Sequence, residues 1–81
     1  MVKRQFLEPK LLKVLERVAR NIERLRKERD LTQAETAEKM DGDLRWYQRL
    51  ESGRHALSLS SLVRLAQVFK VDVSELFKHP S

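Results

Sequence analysis

Residues 31–54, Leu31 to Arg54, read LTQAETAEKMDGDLRWYQRLESGR, and the fold turns on this stretch. It describes two short helices joined by a tight turn. Thr32 is placed to N-cap the first. Glu35, three residues on, completes a capping box in which each side chain satisfies the other's free backbone N–H. Ala34, Ala37 and Met40 recur at i, i+3 and i+6 and predict a thin buried stripe. Asp41-Gly42-Asp43 breaks the helix, with Gly42 free to take a positive φ and Asp43 able to cap the second helix. That helix, Leu44 to about Ser52, buries Tyr47 and Leu50 and leaves Arg45, Gln48 and Arg49 outside. Gly53 stops it. Two helices around so short a turn can set one of them into a DNA major groove.

Toward the N-terminus, Pro9 suits the first turn of a helix and Glu8 suits its positive end. Leu11, Leu15, Val18, Ile22 and Leu25 form a helical stripe that Val14 and Ala19 widen. The spacing predicts a helix of about 20 residues, longer than the average of about 11–12. A break near Arg17 is left open. Arg26, Lys27 and Arg29 place cations near the negative end of the helix dipole, and Asp30 ends the helix. Residues 1–8 have no clear pattern beyond local packing of Val2, Phe6 and Leu7.

Toward the C-terminus, residues 54–57 make a connection and Ser58 is an N-cap. Leu62, Leu65, Ala66 and Phe69 give an amphipathic face. Lys70-Val71 turns the chain. Asp72 and Glu75 repeat the capping-box spacing and open a last short helix, with Val73, Leu76 and Phe77 as its apolar contacts. Pro80 closes the chain. The expectation is an all-α bundle of five helices, with no strands and no internal repeat.

Composition narrows the function classes. The 81 residues contain no cysteine, which removes disulfides and thiolate metal sites and fits a reducing cytoplasm. No apolar run approaches the roughly 20 residues that span a bilayer, and no apolar h-region follows the basic N-terminus, so neither membrane nor signal peptide is expected. His55 and His79 are isolated from each other, and no nucleophile triad, carboxylate pair or phosphate loop has supporting context. No enzyme, metal or cofactor is expected. A net charge of +5 and a pI near 10.0 favour polyanionic partners. The excess is uneven: residues 1–30 hold ten Lys/Arg against five Asp/Glu, whereas residues 31–81 hold seven of each.

The pieces IERLRKERDLTQAETAEKM, LESGR and SLSSLVRLAQVFKVDVSELF, spanning about Val18 to Phe77, resemble the Cro/repressor-type (XRE-type) helix-turn-helix family. The resemblance implies a five-helix, lambda repressor-like bundle whose second and third helices read DNA, in mostly dimeric regulators. It implies that Gln33 bonds a phosphate and braces the recognition helix, and that Ala37 lets the two helices approach closely. Leu44, Arg45 and Arg49 would face base edges, with Gln48 at their flank, and Arg54 would meet a phosphate. Arg26 and Glu51 match an interior ion pair between the first and third helices. Where the family usually has glycine, this chain has Asp41, with Gly42 displaced by one place. Asp30 and Lys70 stand where glycine is frequent, and Leu57 where proline is. Trp46-Tyr47 is bulkier than the pair commonly found there, and the first seventeen residues lie outside the pattern.

The expected DNA-facing set is therefore Gln33, Asp43, Leu44, Arg45, Trp46, Gln48, Arg49 and Arg54. Arg45 and Arg49 are one helical turn apart, and bidentate Arg to guanine is the commonest specific contact. Leu44 either meets a thymine methyl or covers the turn. Trp46 either lies against the DNA backbone or packs, the commoner fate of tryptophan. Tyr47 is core, its hydroxyl reaching solvent or a phosphate. The objection is electrostatic: Gln33 to Gly53 carry three Lys/Arg against five Asp/Glu.

The sequence is thus expected to be a stand-alone regulator that binds a two-fold operator in double-stranded DNA as a homodimer, with residues about 44–52 in the major groove. Its expected organisation is an N-terminal extension at 1–17 continuous with the first helix, a domain at 18–78 with the reading unit at about 32–53, and a tail at 79–81. Phage repressors and controllers of restriction-modification genes are the analogous small members. Dimerisation through Val71, Val73, Leu76 and Phe77 is preferred to the alternative through Leu11, Leu15 and Val18. The rival reading is a protein-interaction module on the same fold, which binds a partner protein with weak or no DNA reading; an antitoxin-like protein that combines DNA and partner binding is its narrower variant.

Overall fold

Glu8 and Pro9 open the first helix together. The Glu8 carboxylate accepts the N–H of Leu11 at 2.9 Å, and Pro9 takes the first helical position, where its missing N–H costs nothing. The computed structural model describes residues 8–79; the expectations for Val2, Phe6, Leu7 and Pro80 lie outside these residues. Helix α1, Pro9–Glu28, runs its 20 residues without a break at Arg17. Helices α2 (Gln33–Lys39), α3 (Leu44–Ser52) and α4 (Leu59–Phe69) come next, and then a 3-10 helix over Val73–Phe77.

The capping box of α2 forms in both directions, Glu35 N–H to Thr32 Oγ1 at 3.0 Å and Thr32 N–H to Glu35 Oε1 at 2.8 Å. The buried stripe of α2 differs from the expected one. Ala34 is exposed, and Thr36 is buried beside Ala37 and Met40. Thr36 can be buried because its hydroxyl donates to the Thr32 carbonyl at 3.0 Å, leaving no orphaned polar atom.

Helices α1, α2 and α4 end alike. In each, paired bonds return to the last turn: Leu31 N–H to Arg26 O, Gly42 N–H to Ala37 O and Val71 N–H to Ala66 O, at 3.2, 2.9 and 3.0 Å. This motif needs a left-handed residue just before the outer donor. The residues there are Asp30, Asp41 and Lys70, with φ of 55, 58 and 58°. These are the three turn positions where the resemblance led one to expect glycine. The turn geometry persists although the glycine does not.

Gly42 is therefore not the positive-φ residue of the turn. Its role is clearance: a Cβ there would overlap Cε3 of the Trp46 indole, which sits over it. Gly53 does adopt a left-handed conformation, φ 75°, and ends α3. It is also buried against α1, where a Cβ would lie 3.3 Å from the Glu16 Cα.

The fifth predicted helix is the other correction. The described residues form four α-helices and one 3-10 helix, not a five-α-helix bundle. Asp72 caps the segment by accepting from Ser74 N–H at 2.9 Å, while Glu75 N–H bonds the Asp72 carbonyl at 2.9 Å in the tighter i to i+3 pattern. The reciprocal Glu75 half of the box does not form; Glu75 pairs with Lys78 at 3.6 Å. Asn21 fixes the segment to α1, donating to the carbonyls of Leu76 and Lys78 at 2.9 and 2.8 Å.

All five elements feed one core. Val18, Ile22 and Leu25 from α1 meet Ala37, Met40, Tyr47, Leu50, Leu62, Leu65, Ala66, Phe69 and Leu76. Arg29 locks the ends of α1 and α4, donating to the Phe69 and Leu25 carbonyls at 2.8 and 2.9 Å with its guanidinium 5.7 Å from the Phe69 ring centre.

Candidate nucleic-acid interface

Helix α3 starts where Asp43 accepts the Trp46 N–H at 2.8 Å. That bond sets the helix phase. Tyr47 and Leu50 then turn inward, and Leu44, Arg45, Gln48 and Arg49 face solvent. Asp43, Leu44, Arg45 and Gln48 border a shallow groove at the start of the helix. No ion pair or hydrogen bond engages the guanidinium of Arg45 or Arg49 among the described residues; only the Arg49 carbonyl is used, accepting from the Ser52 hydroxyl at 2.7 Å. Both guanidiniums keep all their donors for a ligand.

The inner side of α3 is held by a polar network centred on Glu51. Arg26 donates to it through Nε at 2.6 Å and Nη2 at 3.3 Å, with side-chain exposures of only 10% and 6% for Arg26 and Glu51. The third guanidinium nitrogen, Nη1, donates to the Leu31 carbonyl at 2.7 Å. The Tyr47 hydroxyl and the Gln33 amide, the latter at 3.0 Å, also donate to Glu51. Burial works against the Glu51 charge, but Arg26, Tyr47 and Gln33 outweigh it and hold the carboxyl below its ordinary range. Burial first, and then the hydrogen bond to Glu51 and the charge of that carboxylate, push the Tyr47 phenol up, so it stays a neutral donor. Tyr47 is fully buried and its hydroxyl is spent on Glu51, not on solvent.

Gln33 does part of what the resemblance implied. Its nitrogen donates to Glu51, and its oxygen accepts from Gln48 Nε2 at 3.2 Å, so the carboxamide ties the start of α2 to the middle and the C-terminal end of α3. Trp46 is half-buried and packs against the core over Gly42, which places it among the packing residues. Arg54 is exposed just past Gly53, and shares a groove between α1 and the end of α3 with Arg20, Glu16 and Glu23.

The electrostatic objection changes once the partners are known. Glu51 is neutralised by Arg26 from α1, and Asp41 by Arg64 from α4 at 3.2 Å. Both cations lie outside the 33–53 window, and counting them brings its Lys/Arg to five against five Asp/Glu. The Asp41–Arg64 pair is exposed and adds little stability. Arg64 also donates to the Met40 carbonyl at 2.9 Å and so closes the end of α2. Sequence reasoning missed Arg64 and Asn21, and placed Arg29 at the end of α1 without its reach to the Phe69 carbonyl. Only Asn21 left a trace, as a polar residue inside the Val18–Ile22 apolar stripe.

Of the residues expected at a dimer surface, Leu76 is fully buried within the monomer. Val71 and Val73 are half-buried and Phe77 is 38% exposed, so a C-terminal contact would rest on these three. No cluster of His, Asp or Glu suited to a metal ion occurs among the described residues, and no helix there is long and apolar enough to cross a membrane.

A family model described as helix-turn-helix matches residues 22–76, well over half of the chain. The chain belongs to the Cro/repressor-type (XRE-type) helix-turn-helix family. No curated protein matches it. Membership makes this a helix-turn-helix domain of a DNA-binding regulatory family, and the Arg26–Glu51 network and the Schellman-type turn at Asp41 are what fix α2 and α3 against one another.

Proposed function

We propose that this XRE-type domain is a sequence-specific transcriptional regulator that binds a two-fold operator as a homodimer, with α3 in the major groove. One observation carries the reading. Leu44, Arg45, Gln48 and Arg49 stand on the outer face of a helix whose opposite face is fixed by Tyr47, Leu50 and the Glu51 network. Rigid presentation of two free guanidiniums suits bidentate recognition of guanine. Leu44, 42% exposed at the helix start, suits contact with a thymine methyl. Arg54 and the α2 N-terminus would take flanking phosphates.

Selection of bound duplexes from a random pool tests this. The expected product is a palindrome whose half-sites lie about 34–36 Å apart. Failure to enrich any sequence would sink the regulator reading. The partner-binding alternative has one observation in its favour: Leu59 and Val63, one turn apart on α4, are 70% and 40% exposed. A pool without enrichment is the outcome it expects.

Dimerisation through Val71, Val73 and Phe77 gives a further expected result. Phe77→Lys should convert the dimer to a monomer in light scattering, because it places a strongly hydrated charge in an apolar contact. A Phe77→Lys protein that remains dimeric would move the contact to another surface.

A further inference from the structure

Helix α1 carries a second pattern on the side opposite its core stripe. Lys10, Lys13, Arg17, Arg20, Arg24 and Lys27 recur at spacings of 3, 4, 3, 4 and 3 residues. On a helix this repeat is one continuous line of charge, about 25 Å long at 1.5 Å per residue. In the structure five of the six are exposed and Arg17 is half-buried. Arg24 pairs with Glu28 at 3.3 Å and Lys27 with Glu23 at 2.9 Å. Lys10, Lys13, Arg17 and Arg20 have no ion-pair partner among the described residues.

We propose that this outer face of α1 is a second DNA-contacting surface, which binds the phosphate backbone of duplex DNA and supplies affinity independent of sequence. The inference rests on the DNA-binding reading above. Three observations support it. Like charges at i, i+3 and i, i+4 repel and destabilise a helix, so an unbroken line of them is relieved by a polyanion. Its charge density fits a duplex: lying along the axis, about 25 Å of one strand presents roughly seven phosphates to six cations, four of them without an ion-pair partner among the described residues. And the line is continuous with the reading unit, since Arg20 borders the same groove as Arg54 at the end of α3. A membrane surface is the poorer match. The apolar face that α1 would need to insert, Leu15, Val18, Ile22 and Leu25, is already in the core.

The test replaces Lys10, Lys13 and Arg20 together with glutamine, which keeps helix propensity at exposed positions. Binding of wild type and variant to a mixed-sequence 30-base-pair duplex is followed by fluorescence anisotropy from 50 to 200 mM salt. Each lost phosphate contact should make the log–log slope shallower by about 0.9, so three lost contacts shrink the wild-type advantage about 40-fold across that range. The enriched operator sequence should be the same for both proteins. An unchanged slope in the variant overturns the α1 surface, even where the variant still selects an operator and the regulator reading stands. A shallower slope from a protein that selects no operator keeps the surface and overturns the regulator reading instead. Loss of binding to anionic phospholipid vesicles with an unchanged duplex slope also overturns it.

Discussion

Replacing Glu51 with alanine is expected to lower the free energy of unfolding by about 3–5 kcal/mol. The size reflects what the carboxylate holds. It takes two nitrogens of Arg26, the Tyr47 hydroxyl and the Gln33 amide, in a site where Arg26 and Tyr47 are 8% and 0% exposed. Alanine leaves a buried guanidinium with only the Leu31 carbonyl, and a buried phenol with no carboxylate to donate to. A domain of this size has on the order of 4–12 kcal/mol in total, so the loss is comparable with the whole. Urea denaturation at 25 °C measures it, and an unshifted midpoint would count against the network. Glu51→Gln should fall between wild type and alanine, because an amide oxygen still accepts from Tyr47 but carries no charge for Arg26. The lowered carboxyl also sets a pH dependence. The native state binds the proton less readily than the unfolded chain. The stability is therefore complete above the ordinary carboxylate range and is lost as pH falls through and below it.

The second large effect concerns specificity. On the selected operator, Arg45→Ala and Arg49→Ala should each lose about 1–3 kcal/mol of discrimination, roughly 5- to 150-fold, at the base pair each one reads. Because both side chains are exposed and bonded to nothing within the described residues, unfolding stability should stay within about 0.5 kcal/mol of wild type. Competition between operator and mutated-operator duplexes separates the possibilities. An equal loss on every duplex would make these arginines phosphate contacts and would move base reading to Leu44 and Gln48. The two predictions divide the helix between its faces: Glu51 governs whether α3 is held, and Arg45 and Arg49 govern what it recognises.

Local signals made most of the architecture legible. The Thr32/Glu35 box, Asp43, Ser58 and Gly53 each act within a few residues, through bonds between side chain and nearby backbone, so their positions along the chain suffice to place helix ends. The apolar spacings of α1 from Leu15 onward and of α4 identified their buried faces for the same reason, whereas Leu11, in the first turn of α1, is exposed. The α2 stripe failed at Ala34 and Thr36, because a short helix with few apolar residues has its burial settled by what packs on it. The last segment failed as an α-helix for a similar reason. Five residues offer little cooperativity, and the carbonyls of Leu76 and Lys78 are taken by Asn21, more than fifty positions away in the chain.

The helix-turn-helix unit, its family and the outward phase of Arg45, Gln48 and Arg49 are thus readable from the residues alone, because caps and periodicity are short-range. The charge balance of the reading unit and the roles of Gly42 and Trp46 emerged only from the packed molecule. Arg64 reaches Asp41 from a helix 23 positions along the chain, beside the Arg26–Glu51 pair that the family resemblance already implied, and the indole needs the space that a missing Cβ leaves. Electrostatic and steric fits of that kind depend on distance in space, which no window along the chain can measure.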